Sequence, residues 1–159
     1  MSTPTWLTPE ELAAWKHLSL LQLQLDAHLN RDLLNSGLSL QDYLVLATLS
    51  DQADGQRRLN EIGAELGWEK SRVSHHISRM CARGLVEKVA CPTDQRGWFV
   101  SLTEAGRQAA TAAAPSHVAH VRALFFDHLT SDEVNVIAEI SQRVLSSLPA
   151  TTARDRVAK

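Results

Sequence analysis

Cysteine is nearly absent: Cys81 and Cys91 are the only two in 159 residues. That excludes a disulfide framework and fits a reducing compartment. No stretch approaches the roughly 18 consecutive apolar residues of a membrane span. The N-terminus, MSTPTWLTPEELAAWK, lacks a basic segment followed by an apolar one. The expected location is therefore the cytoplasm, with no membrane partner. Also missing are a glycine-rich phosphate loop, a nucleophile elbow, a zinc quartet and a carboxylate pair. No catalysis and no cofactor are expected. Neither an internal repeat nor an interdomain linker interrupts the chain, so residues 1–159 read as a single domain with a frayed polar tail at 149–159.

What is present is ordinary in total and uneven in distribution. The net charge is −2. Residues 1–56 carry two basic and seven acidic groups, whereas residues 57–96 carry eight basic and five acidic. A positive block of this kind is the electrostatic footprint expected of a chain that meets a polyanion.

Helix signals are strong. Thr8, Pro9 and Glu11 form a capping pattern before Leu12, Trp15, Leu18, Leu21, Leu25 and Leu29, which recur at helical spacing up to Asn35-Ser36-Gly37. Ser39 caps a second helix bearing Tyr43, Leu46 and Leu49, and 51–55 is loop chemistry. A short helix with Leu59, Ile62 and Leu66 breaks at Gly67, and another spans about Lys70 to Arg83, ending at Gly84. Two β-prone runs follow, 85–89 and 98–102, separated by a turn-rich tip at 90–97. Thr103 caps a long helix expected to reach about His128, with a kink or fresh start at Pro115. Thr130 caps a last helix with Val134, Ile137, Ile140, Val144 and Leu148 on one face. The fold class is mainly α with a small β-hairpin wing (α+β).

The order helix, glycine turn, helix, glycine, hairpin is that of a winged helix-turn-helix, expected over 36–102. Its second helix hides Val73, Ile77 and Met80 on one side. Ser71, Arg72, His75, Ser78 and Arg79 lie opposite, with Ser74 and His76 on the flanks. Residues 70–83 contain no acid and include Lys70. A polar, basic face of short or hydrogen-bonding residues suits a major groove and its base edges. At the hairpin tip, Arg96 beside Gly97 suits a narrow minor groove, with Asp94 two residues before it. The expected partner is double-stranded DNA. A winged-helix module that binds only protein is the alternative.

The stretch LNEIGAELGWEKSRVSHHISRMCARGLVEKVACPTDQRGWFVSLTEAGR resembles the DNA-binding core of the MarR family of bacterial transcriptional regulators. Its marks are the small residues before Gly67, Arg83-Gly84-Leu85-Val86, the tip Asp94-Gln95-Arg96-Gly97, and Leu102-Thr103-Glu104-Ala105-Gly106. The likeness extends from about Leu7 to Leu148. It implies a homodimer with one winged lobe per subunit and a helical dimerisation region at 7–35 and 103–148. Ser71, Arg72 and His75 then correspond to major-groove contacts, Arg96 to the wing arginine and Asp94 to its supporting acid. Many members carry a second basic residue where this chain has Gln95. The resemblance further implies a repressor on a pseudo-palindromic operator and a small phenolic or anionic effector, for which Trp15, His17, Tyr43 and His117 are the candidate lining. Metal sensing through His117 and His120, or thiol sensing through Cys81 or Cys91, are alternatives within the same fold.

Overall fold

The computed structural model describes residues 6–91 and 94–149, with the side chains of Cys91, Asp94, Gln95 and Arg96 outside the described set. In chain order the elements are α1 (Pro9–Asn35), α2 (Leu40–Ser50), β1 (Gln56–Arg58), α3 (Leu59–Glu65), α4 (Lys70–Ala82), β2 (Val86–Cys91), β3 (Asp94–Leu102), α5 (Glu104–Leu124), a 3₁₀ turn (Phe126–His128) and α6 (Ser131–Ser147).

Side-chain caps start four of the helices, with Thr103 opening α5. Thr8 and Glu11, Ser39 and Asp42, and Thr130 and Glu133 each form a reciprocal capping box. Gly67, at φ +64°, makes the left-handed turn between α3 and α4 that a side chain disfavours. At Gly63 a Cβ would meet Trp68 O and Val73 Cγ1 at 3.3 Å each, so the small residues of α3 let α4 approach closely.

The three strands form one antiparallel sheet in the order β1-β3-β2. Val86 pairs with Leu102, Lys88 with Val100 and Ala90 with Trp98, before an irregularity at Ala90/Cys91. Strand β1 was not expected, because Gln56-Arg57-Arg58 shows no apolar alternation; pairing with β3 makes it a strand. Strand β3 also begins earlier than the apolar run 98–102, at Asp94, which pairs with Cys91 within the expected tip.

Helix α5 runs through Pro115 without a break, so the fresh start expected as one possibility there does not occur. Proline costs a helix one N–H donor, and the exposed position tolerates the loss. The break comes instead at Phe125, with φ −133° and ψ −66°, followed by the 3₁₀ turn. The start of α5 is clamped to the wing: Thr103 Oγ1 contacts the carbonyls of Gly84 and Leu85 at 2.7 and 2.9 Å and accepts from Gly106 N at 3.0 Å. A Cβ on Gly106 would sit 2.0 Å from Leu85 O. That contact gives the Leu-Thr-Glu-Ala-Gly motif a physical reason.

One core joins the end of α1 to the lobe: Leu33, Leu38, Val45, Leu46, Leu49, Ile62, Val73, Ile77, Met80, Val86 and Val100, closed by Ala113 of α5. The rest of α1 stands away from it, with Leu12, Trp15 and Leu18 exposed, and α6 has no buried residue.

Candidate nucleic-acid interface

Helix α4 presents two chemistries. Val73, Ile77 and Met80 are buried against the lobe core. Lys70, Ser71, Arg72, His75, Ser78 and Arg79 are exposed, and Ser74 is half-buried. Lys88 of β2 reaches across to donate to Ser78 Oγ at 3.0 Å, which ties the wing to this helix.

His76 departs from the expected DNA face. It is buried, with Asp42 of α2 and the Trp68 ring against it. Its Nε2 lies 3.0 Å from Asp42 Oδ1, short but poorly aligned, and its Nδ1 faces Arg79 Nη2 at 3.0 Å. The Trp68 ring meets it edge-on at 5.2 Å, and the Arg72 guanidinium lies 4.7 Å over the same indole.

The basic block is partly committed inside the lobe. Arg57 pairs with Glu61 and Glu65. Arg58 lies over the Phe99 ring at 5.3 Å. Arg83 donates to Asp42 Oδ2 at 2.7 Å and to Gly37 O at 2.5 Å. Asp42 itself was invisible as a site residue: in sequence it is only the acid of a capping box. Burial pushes its carboxyl up, but bonds from His76, Ser39 and Arg83 outweigh this and hold it far below the usual carboxylate range. A cavity of about 590 Å³ opens between the α1–α2 turn and α4, edged by Arg72, His75, Arg79 and Arg83.

At the tip, the backbone of Asp94, Gln95 and Arg96 belongs to β3, and their side chains lie outside the described residues.

The four effector candidates do not share one site within a subunit. Tyr43 and His117 meet, with ring centroids 4.3 Å apart. Trp15 and His17 are exposed on α1. Asp32, which binds Ser116 and His120 of α5, marks where α1 passes that pair. Trp15 is 17 residues before Asp32, about 25 Å along a helix axis. Periodicity gave the face of α1 and not this axial distance. Burial lowers the His117 pKa, opposed by Asp32 and reinforced by His120, and burial raises that of Tyr43. Among the described residues no group of three or more His, Cys, Asp or Glu is placed to hold a metal. Cys81 is half-buried against the core. No helix among them is long and apolar enough to cross a membrane.

Residues 36–97 match the model of the MarR family. Over nearly its whole length the chain is similar to AbsC, a MarR family transcriptional regulator from Streptomyces coelicolor. The two are 33% identical with a TM-score of 0.84, over 90% of this chain and 97% of that one. The chain belongs to the MarR family. Sco3205 of the same organism, a MarR family regulator solved in complex with DNA, is 31% identical, covers 96% and 97% of the two chains, and gives a TM-score of 0.87. The HTH-type transcriptional regulator MhqR of Bacillus subtilis (strain 168) is 25% identical over 138 residues, 87% of this chain and 93% of MhqR. As a MarR family member the chain is a DNA-binding transcriptional regulator, and not an enzyme.

Proposed function

We propose that this chain is a homodimeric repressor that reads a pseudo-palindromic operator, with α4 in the major groove and Arg96 of the wing in the minor groove. The observation that carries this reading is the division of α4. Its apolar side is buried in the lobe, while Ser71, Arg72, His75 and Arg79 stand exposed on a face without a single acid. Serine, arginine and histidine there have the reach and donor chemistry to read base edges, and the neighbouring cations meet phosphates. Lys70, Ser74 and Asp94 to Arg96 complete the proposed contact set, and His76 supports it from beneath.

One α4 spans only a few base pairs, so tight binding needs a second lobe about one helical turn away. Two apolar surfaces support pairing with a second copy. Ile137, Ile140, Val144 and Leu145 of α6, with Leu148 after it, stay 37–66% exposed, and Leu12, Trp15, Leu18 and Leu21 of α1 stay 41–62% exposed. Exposed apolar surface of this extent marks an interface. The proposed division is a DNA-binding lobe at 36–102 and a dimerisation region at 7–35 and 103–148, acting in the cytoplasm.

A small phenolic or anionic effector would release DNA by favouring a lobe spacing that does not fit the operator. The Tyr43–His117 pair is its proposed seat, supported by the buried, unpartnered His117 Nδ1. Trp15 and His17 would have to come from the other subunit.

A gel shift of the full chain on a duplex selected from a random pool tests the reading. The Arg72→Ala and Arg79→Ala variants should weaken binding by about tenfold each, within the roughly 1–3 kcal/mol of a lost groove contact. Parent-like binding by both would overturn the assignment of α4.

A further inference from the structure

Asp42 carries more contacts than a helix cap requires. The box with Ser39 uses one acceptor position, with Ser39 N donating to Oδ2 at 2.9 Å. Its Oδ2 also accepts from Arg83 Nη1 at 2.7 Å, and its Oδ1 faces His76 Nε2 at 3.0 Å. Both extra partners belong to α4 or its C-cap, 34 and 41 positions further along the chain. A first-turn acid in a helix is ordinarily solvated; this one is 4% exposed.

The chemistry of the donors gives the arrangement a direction. An arginine has only donors, so the 3.0 Å approach of Arg79 Nη2 makes His76 Nδ1 an acceptor. In that tautomer the ring proton sits on Nε2, which lies 3.0 Å from Asp42 Oδ1. Arg79 donates to His76, His76 Nε2 lies close to Asp42 Oδ1 without good alignment, and Arg83 donates to Asp42 from the other side. Arg83 Nη2 closes the bracket on Gly37 O at 2.5 Å. Trp68, edge-on to His76 and beneath Arg72, brings the third α4 cation into the same assembly.

Resting on the DNA-reading role proposed above, we infer that Asp42 is a positioning residue for operator recognition: acting through His76 and Arg83, it sets the seat of α4 and holds the Arg79 guanidinium on the exposed face. Arg83 is withdrawn from the DNA by this bracket, whereas Arg79 is presented to it. The bracket also ties the C-terminal end of α4 to the α1–α2 turn through Gly37 O and to α2 through Asp42.

The test has two parts. In the unaltered protein, ¹⁵N spectra of the histidine rings should show His76 neutral and protonated on Nε2; protonation on Nδ1 would break the chain of donors and overturn the proposal without any variant. In the second part, Asp42→Asn, which keeps an oxygen for the Ser39 cap, is compared with Arg79→Ala and with the double variant. The probe is a labelled duplex selected from a random pool by the parent. Asp42→Asn should weaken binding at least fivefold, and Arg79→Ala should cost several-fold less when added to Asp42→Asn than when added to the parent. A merely structural carboxylate would leave those two losses multiplicative. Multiplicative losses, or parent-like binding by Asp42→Asn, overturn the proposal while leaving the DNA-reading role standing. Failure of the parent to bind any duplex overturns both.

Discussion

The rings of Tyr43 on α2 and His117 on α5 meet at 4.3 Å, tilted by 45°, and the His117 Nδ1 buried beside them has no hydrogen-bond partner among the described residues. The contact joins the lobe to the long helix that leaves it, and its histidine is the group in which acid sensitivity is expected.

Burial lowers the His117 pKa in the folded state, with Asp32 opposing and His120 adding to the effect. The unfolded chain therefore protonates first as pH falls through about 6.5, and stability declines on acidification through that range. Urea midpoints measured at about pH 7.5 and about pH 5.5 should show the decline, and His117→Gln should lessen it. An unchanged slope in the variant would place the sensitivity elsewhere.

Asp42 works in the same sense at lower pH. Its folded pKa lies below the ordinary 3.8, so its contribution is present above that value and is lost as pH falls below it. Asp42→Ala should cost on the order of 2 kcal/mol, less than a fully buried pair because Arg83 is half exposed. Equilibrium denaturation measures it. A cost near zero would mean that His76 and Arg83 find other partners.

Gly106→Ala should cost on the order of 3 kcal/mol, since its methyl would enter the Leu85 carbonyl and overpacking against backbone is poorly relieved. The measured quantity is the shift in denaturation midpoint. A neutral result would mean that the start of α5 slides freely past the wing.

Ile140→Glu on α6 should convert the proposed dimer to monomer at micromolar concentration, read by light scattering. Ile140 is 45% exposed within the subunit, so the variant should lose less than about 1 kcal/mol of subunit stability. A variant that stays dimeric would remove α6 from the proposed interface.

Much of this was legible from spacing and caps. The buried stripe Val73-Ile77-Met80 follows from a 100° step, and Thr8, Ser39 and Thr130 mark helix starts through chemistry confined to a few residues. The errors share a different cause. His76 sits on a flank of α4, and it is Asp42 of α2 and Trp68 that lie against that flank. Asp42 reads as a cap because its other partners lie 34 and 41 positions away. Gln56-Arg57-Arg58 becomes a strand only through β3. Trp15 and His17 share the helical pattern of α1, yet periodicity says nothing about how far along the axis they stand from Tyr43.

The measurement that bears most directly on the central claim is fluorescence anisotropy of the purified chain against duplexes enriched from a random pool, titrated at two salt concentrations. The account predicts one enriched pseudo-palindrome, bound by two chains per duplex, with affinity falling steeply as salt rises because several phosphates are neutralised. Weak binding that ignores sequence, or saturation at one chain per duplex, would contradict a dimeric reader whose specificity resides in α4.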